Sequence, residues 1–174
     1  QDSLIALDKR NGAFYQKKKC KLNAQGLPLS VLHEANLSGT LWFKLDYEYN
    51  GSEATKETWT NSSNVQNITN FTWSNGNLVS KTTSYDSYEY EYYTDKLHQQ
   101  ADAYTLEMMV ADVGVEIVKN KNLMKRIKYN RPGVGTYTYS YEYQFDKEGK
   151  VLTIIKSYAD SDQKNQFDFQ YQCQ

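Results

Sequence analysis

Residues 136–158, TYTYSYEYQFDKEGKVLTIIKSY, spell out a β-hairpin in their own side chains. Side chains alternate sides along a strand, so Tyr137, Tyr139, Tyr141, Tyr143 and Phe145 share one face and Thr138, Ser140, Glu142 and Gln144 the other. Asp146-Lys147-Glu148-Gly149 supplies a short loop with a glycine for the positive φ that hairpin turns demand. Val151 to Ile155 returns as the partner strand.

The same form recurs. Cys20 to Leu27, Tyr47 to Ser52, Phe71 to Leu78 and Tyr143 to Val151 each place an aromatic or apolar pair before a polar turn ending in or near Gly. Repeated hairpins make consecutive strands neighbours, which is an antiparallel meander. Further strands are expected at Phe14 to Leu22, Pro28 to Leu32, Leu41 to Tyr49 (closing on Asn50-Gly51), Glu53 to Thr60, Tyr88 to Tyr92, Leu123 to Tyr129 and Phe167 to Cys173. Residues 61–70 read as a loop or weak strand, and residues 1–13 as a loose N-terminal segment. About ten strands in one twisted sheet curl until their edges approach. The expected fold is therefore all-β, an antiparallel meander curled into an up-and-down barrel or half-barrel. One short helix is expected over 96–113, because Leu97, Ala101, Tyr104, Met108 and Ala111 recur at helical steps and Gly114 offers a stop. A length of 174 residues fits one domain over 1–174.

Tyrosine is the compositional anomaly: 16 Tyr against 6 Phe and 3 Trp mean that much of the buriable surface carries a hydroxyl in need of a partner. A formal net charge of −1 argues against nucleic acid as a partner, since phosphate affinity comes from a surplus of Lys and Arg. No apolar run is long enough to span a bilayer as a helix. The opening QDSL reads as either an artificial start or a processed end, and a composition rich in Asn, Ser, Thr, Tyr and Gln leans toward export.

The phrases FTWSNGNLVSKTTSY, LMKRIKY and YEYQFDKEGKVLTI resemble the envelope lipoprotein domains of Bacteroidetes, a group of unknown function with a porin-like, many-stranded β fold akin to Tyr-Asp-repeat surface proteins. The resemblance covers roughly Tyr15 to Cys173 and rests on strand and turn motifs. It implies an exported, cell-envelope protein, periplasm-facing or at the surface, held by a lipid on a cysteine upstream of Gln1. It carries over no functional residues.

Trp42, Trp59, Tyr85 and Tyr93 fall off the inward faces by alternation or position, and exposed rings stack on sugars or partner surfaces. A one-residue register slip would exchange those faces. Cys20 and Cys173 both sit on apolar strand faces near the two chain ends. If first and last strands met, a disulfide closing a loop of about 150 residues would contribute roughly 5 kcal/mol in the chain-entropy model; two buried thiols that never touch is the plainer reading. Asp46 with Glu48, and Glu89 with Glu91, place carboxylates in pairs on strand faces. Glycosidases hold such a pair about 5 to 9 Å apart across a cleft, yet cross-strand pairing with lysines accounts for the pattern better. His33 and His98 have no ligand-spaced neighbours, Asp160-Ser161-Asp162 departs from a calcium loop at Lys164 and Asn165, and no metal or cofactor is implied. A lipid-spanning barrel is disfavoured because Tyr runs through the strand centres instead of the rims.

The expected function is a non-enzymatic, monomeric envelope module contacting a glycan or surface protein. Two alternatives are a carrier of a small amphipathic ligand inside a Tyr-lined barrel, and a glycoside hydrolase using one carboxylate pair.

Overall fold

A computed structural model of the chain describes residues 3–99, 101–104 and 117–171. Twelve strands follow one another: β1 (Ser3–Arg10), β2 (Ala13–Leu22), β3 (Pro28–Glu34), β4 (Trp42–Asn50), β5 (Glu53–Asn61) and β6 (Gln66–Ser74). The second half continues with β7 (Asn77–Thr82), β8 (Ser87–Leu97), β9 (Asn122–Arg131), β10 (Gly135–Phe145), β11 (Val151–Tyr158) and β12 (Lys164–Asp168). Their hydrogen-bonded order is the sequence order, an antiparallel meander with β1 and β12 at its two ends. Among the described residues that order is linear, not closed into a ring.

Three turns share one construction. At 23–27, 61–65 and 146–150 the first residue is Asn or Asp. Its N–H donates to the carbonyl four residues on, and its carbonyl accepts from the N–H three residues on. Its side-chain Oδ1 accepts from the N–H groups two and four residues on, at 2.8 to 3.0 Å. The fourth position needs a positive φ, met by Gly26 (76°), Asn64 (60°) and Gly149 (81°). The copy at 61–65 hides inside the stretch expected as a loop or weak strand, because Asn64 stands where the other two have Gly. Asn11-Gly12 and Asn75-Gly76 carry positive φ at both residues, the signature of a two-residue I′ turn.

Four hairpins also carry a one-residue bulge on the returning strand, a few residues past the turn. The unpaired residues are Tyr15, Leu29, Thr55 and Leu152. Tyr15, Leu29 and Leu152 are among the exposed large apolar side chains, and the Tyr15 ring is covered on one face by the Arg10 guanidinium at 3.5 Å.

The chain groups into two compact units. In the first, residues 1–71 with 110–118, the core is Cys20, Val31 and Tyr47, flanked by Leu22, Leu45, Tyr49 and Ile117. In the second, residues 72–109 with 119–174, Leu78, Leu123, Met124, Tyr141, Val151 and Ile154 are almost wholly buried. Tyrosine hydroxyls reach main-chain carbonyls in both: Tyr49 to Pro28 in the first, and Tyr92 to Leu78, Tyr143 to Met124 and Tyr171 to Val151 in the second, all at 2.7 to 2.8 Å.

Three expectations are corrected here. Ser3–Arg10 is not a loose segment but β1, paired with β2 through the Asn11-Gly12 turn. The helix over 96–113 does not begin at 96: Lys96 and Leu97 end β8, and among the described residues of that stretch helical geometry is found at Ala103 and Tyr104. Most of the remainder, 105–113, lies outside the described residues. The last strand is Lys164–Asp168, earlier than the Phe167 to Cys173 alternation implied.

Burial pushes the hydroxyls of Tyr47, Tyr49, Tyr90, Tyr92 and Tyr143 above the ordinary tyrosine range. A pKa raised by folding gives stability that is full below about pH 10, the unfolded value, and is lost as pH rises beyond it. We expect tyrosinate absorbance to titrate in two sets, the buried set ionising only as the far-UV β signal collapses. A single smooth titration near pH 10 with the sheet intact would contradict this burial.

Candidate functional site

Trp42 opens β4 directly opposite Glu34 of β3. The loop before it is tied down by Asn36, whose Oδ1 accepts from Leu41 N–H (3.1 Å) and whose Nδ2 donates to Thr40 Oγ1 (2.8 Å). Gly39 sits at φ 67° beside the Glu34 carboxylate. Together Leu32, Glu34, Gly39, Trp42 and Lys44 line a pocket of about 320 Å³. Glu34 pairs with Lys19 (2.6 Å) and Lys44 with Asp46 (2.6 Å), so the lining combines the indole and Leu32 with charges that are already paired. Such a mixture suits a ligand with flat apolar faces and hydroxyl edges.

Trp59 is on the other face. It pairs with Leu45, on the side that carries Cys20, Val31 and Tyr47, and its ring packs 6.3 Å from Phe43, which stacks on His33 at 4.1 Å. Alternation counted from buried Ala54 puts Trp59 outward, but the extra residue at Thr55 switches the parity. Tyr85 stands 62% exposed on the turn before β8, where Thr83 Oγ1 accepts from Tyr85 N–H and Asp86 N–H. Tyr93 donates to the Tyr141 carbonyl (2.8 Å), meets Tyr143 edge to face at 5.9 Å, and lies under the Lys96 ammonium at 4.1 Å. Within their units these four rings do not assemble: Trp42 and Trp59 occupy opposite faces, while Tyr85 and Tyr93 belong to a turn and to an interior contact.

The carboxylate pairs are held by cations. Glu48 meets Lys56, Glu89 meets Lys128 and Glu91 meets Arg126, each across adjacent strands. Cys20 is buried in the first unit's core, where burial pushes its thiol up, and Cys173 lies outside the described residues.

A polar cluster in the second unit escapes a strand-by-strand reading. The Asp102 carboxylate is wholly buried. Its Oδ1 accepts from the N–H groups of Met124 (3.1 Å) and Tyr104 (3.3 Å) and lies 3.0 Å from the Tyr143 hydroxyl; its Oδ2 lies 3.1 Å from His98 Nδ1. The single Tyr143 proton serves either Asp102 or the Met124 carbonyl at 2.7 Å. Burial first, then the Asp102 charge, pushes that hydroxyl up. His98 and Asp102 stand four residues apart in sequence, which alone does not signal a buried contact, and Met124 and Tyr143 are remote from both. The cluster fastens the segment after β8 to β9 and β10.

Asp102→Ala strips the acceptor from the buried Met124 and Tyr104 N–H groups and a partner from Tyr143 and His98, and we expect a loss of about 3 to 5 kcal/mol in urea denaturation. Asp102→Asn keeps one acceptor oxygen and should cost distinctly less; equal costs for the two would deny the role of Oδ1.

No protein-family model matches the chain, and no curated protein does. Among solved structures it is similar to a porin-like protein from Bacteroides uniformis ATCC 8492, with a TM-score of 0.61 and 12% identity over 93% of this chain and 74% of the other. It is also similar to a porin-like protein from Bacteroides vulgatus ATCC 8482, with a TM-score of 0.63 and 14% identity over 99% of this chain and 83% of the other. At such identity the likeness is one of fold, and it matches the porin-like, many-stranded β architecture that the family resemblance implied.

Proposed function

We propose that this chain is a non-catalytic module of a bacterial cell envelope, recognising a glycan or a surface protein through the Trp42 face of its first unit. The observation that carries the reading is the pocket itself. An indole at the first position of a strand is held beside a side-chain-pinned loop, and both charged groups of the lining already have partners. Nothing in that arrangement activates a nucleophile or sets two carboxylates against each other, which is what hydrolysis of a glycosidic bond requires. The fold shared with porin-like proteins of two Bacteroides species supports an envelope setting. An N-terminal lipid anchor and a monomeric state belong to the same proposal.

Titration of the purified chain against envelope polysaccharides and surface-protein extracts, followed by tryptophan fluorescence and calorimetry, tests it. Trp42→Ala should weaken binding about tenfold or more, the worth of one well-packed aromatic contact, with little change in Tm. Trp59→Phe, on the opposite face, should leave affinity unchanged. Equal affinity for Trp42→Ala and the parent chain would overturn the assignment.

A further inference from the structure

The second unit holds a separate pocket, of about 180 Å³, that the Trp42 reading does not use. It lies where β10 and β11 come together at the end remote from their turn. Tyr139 and Tyr158 are the last cross-strand pair there, meeting edge to face at 5.1 Å. One further bond, Ala159 N–H to the Thr138 carbonyl at 3.0 Å, extends the pairing, and the chain then turns so that Asp160 and Ser161 join the wall with Tyr137.

The rings are fixed in place. Asn165 Nδ2 donates to the Tyr158 hydroxyl at 3.1 Å, and the largely buried Lys156 holds its ammonium 4.2 Å from the Tyr139 ring and 5.1 Å from the Tyr158 ring. Tyr137 continues outward as the end of a row. It lies near-parallel to Tyr129 at 6.0 Å, and Tyr129 meets Tyr88 in a tilted contact at 4.8 Å, so three rings follow one another across β10, β9 and β8. The Tyr129 hydroxyl is held by Asp86 at 3.0 Å, which Arg131 also meets. Tyr137 is 40% exposed although it occupies the face that buries Tyr141 further along the same strand.

We infer that this Tyr-walled pocket and the ring row leading from it bind a neutral oligosaccharide. Aromatic faces accept the apolar faces of pyranose rings, and the Asp160 carboxylate with the Ser161 hydroxyl offers hydrogen-bond partners to sugar hydroxyls. The ring centroids follow one another at 6.0 and 4.8 Å, close to the spacing of adjacent strands and suited to an extended chain of sugar units. An anionic ligand meets the Asp160 carboxylate at the pocket wall. A quaternary ammonium, the other guest of three rings and an acid, meets the Lys156 ammonium already seated against two of those rings. The proposal is independent of the Trp42 site, which lies in the other unit.

The test is an amide-resolved NMR titration of the full chain with a panel of neutral gluco-, manno-, galacto- and xylo-tetraoses, with choline chloride as the cationic comparison. At least one tetraose should shift amides at 137–139 and 158–161. Asp160→Ala and Tyr137→Ala should weaken that binding about tenfold each, and Trp42→Ala should not. Asp160 is exposed, so its replacement leaves the fold intact, and preserved spectra elsewhere verify this. Shifts at these residues with choline alone would replace the sugar by a cation, and an unresponsive pocket with every tetraose at millimolar concentration would overturn the inference. Shifts confined to residues around Trp42 would overturn it equally while leaving the first site standing.

Discussion

Each strand of the meander is paired with its neighbours in sequence, so register is set locally, where each turn is made. That places unusual demands on the turns. In three of them a single Asn or Asp side chain receives two N–H groups while the same residue's backbone closes the loop at both ends. Four bonds converge on one residue. The flanking strands enter and leave at a fixed offset, and the hydrophobic face is thereby carried from one strand to the next without slipping.

The bulges and the tyrosines are linked to these turns. A bulge interrupts the ladder locally. Two of the four bulges immediately follow a carbonyl that accepts a tyrosine hydroxyl: Tyr49 reaches Pro28 just before Leu29, and Tyr171 reaches Val151 just before Leu152. At a third, Thr55 itself donates to the Glu48 carbonyl. Phenylalanine would fill the same space and leave those carbonyls without the hydroxyl. Part of the excess of Tyr over Phe has a structural cause in these contacts: at two bulges a main-chain acceptor lies within reach of a large ring, and only Tyr among such rings brings a hydroxyl to it.

This link also explains what the sequence disclosed and what it withheld. The β10–β11 hairpin was legible because alternation, loop and return strand agree over 23 residues. The meander followed because the hairpin form recurs. β1 went unseen because Leu4, Ile5 and Leu7 do not alternate, although Asn11-Gly12 beyond them was the signal that would have found it. The face of Trp59 was lost to one bulge residue, since period-two counting has no means of registering an extra position. Asp102 was lost for a different reason. Its donors come from residues 98, 104, 124 and 143, and no local window contains a burial that three separated segments create together.

The same logic bears on where recognition can reside. At mid-strand, inward positions are committed to packing and outward ones to pairs such as Glu48 with Lys56 and Glu91 with Arg126. Strand ends are released from both duties, and there a loop can bring polar groups beside a ring without disturbing the ladder. Trp42 is the first residue of β4, and Tyr137 stands two residues after the start of β10. Tyr158 is the last residue of β11, one step before the bend that carries Asp160 and Ser161. Because the turns hold register through their own backbone and Asx contacts, such end positions can be exchanged with little effect on the remaining strands. A repeated hairpin of this kind therefore separates the residues that specify the fold from those free to specify a ligand.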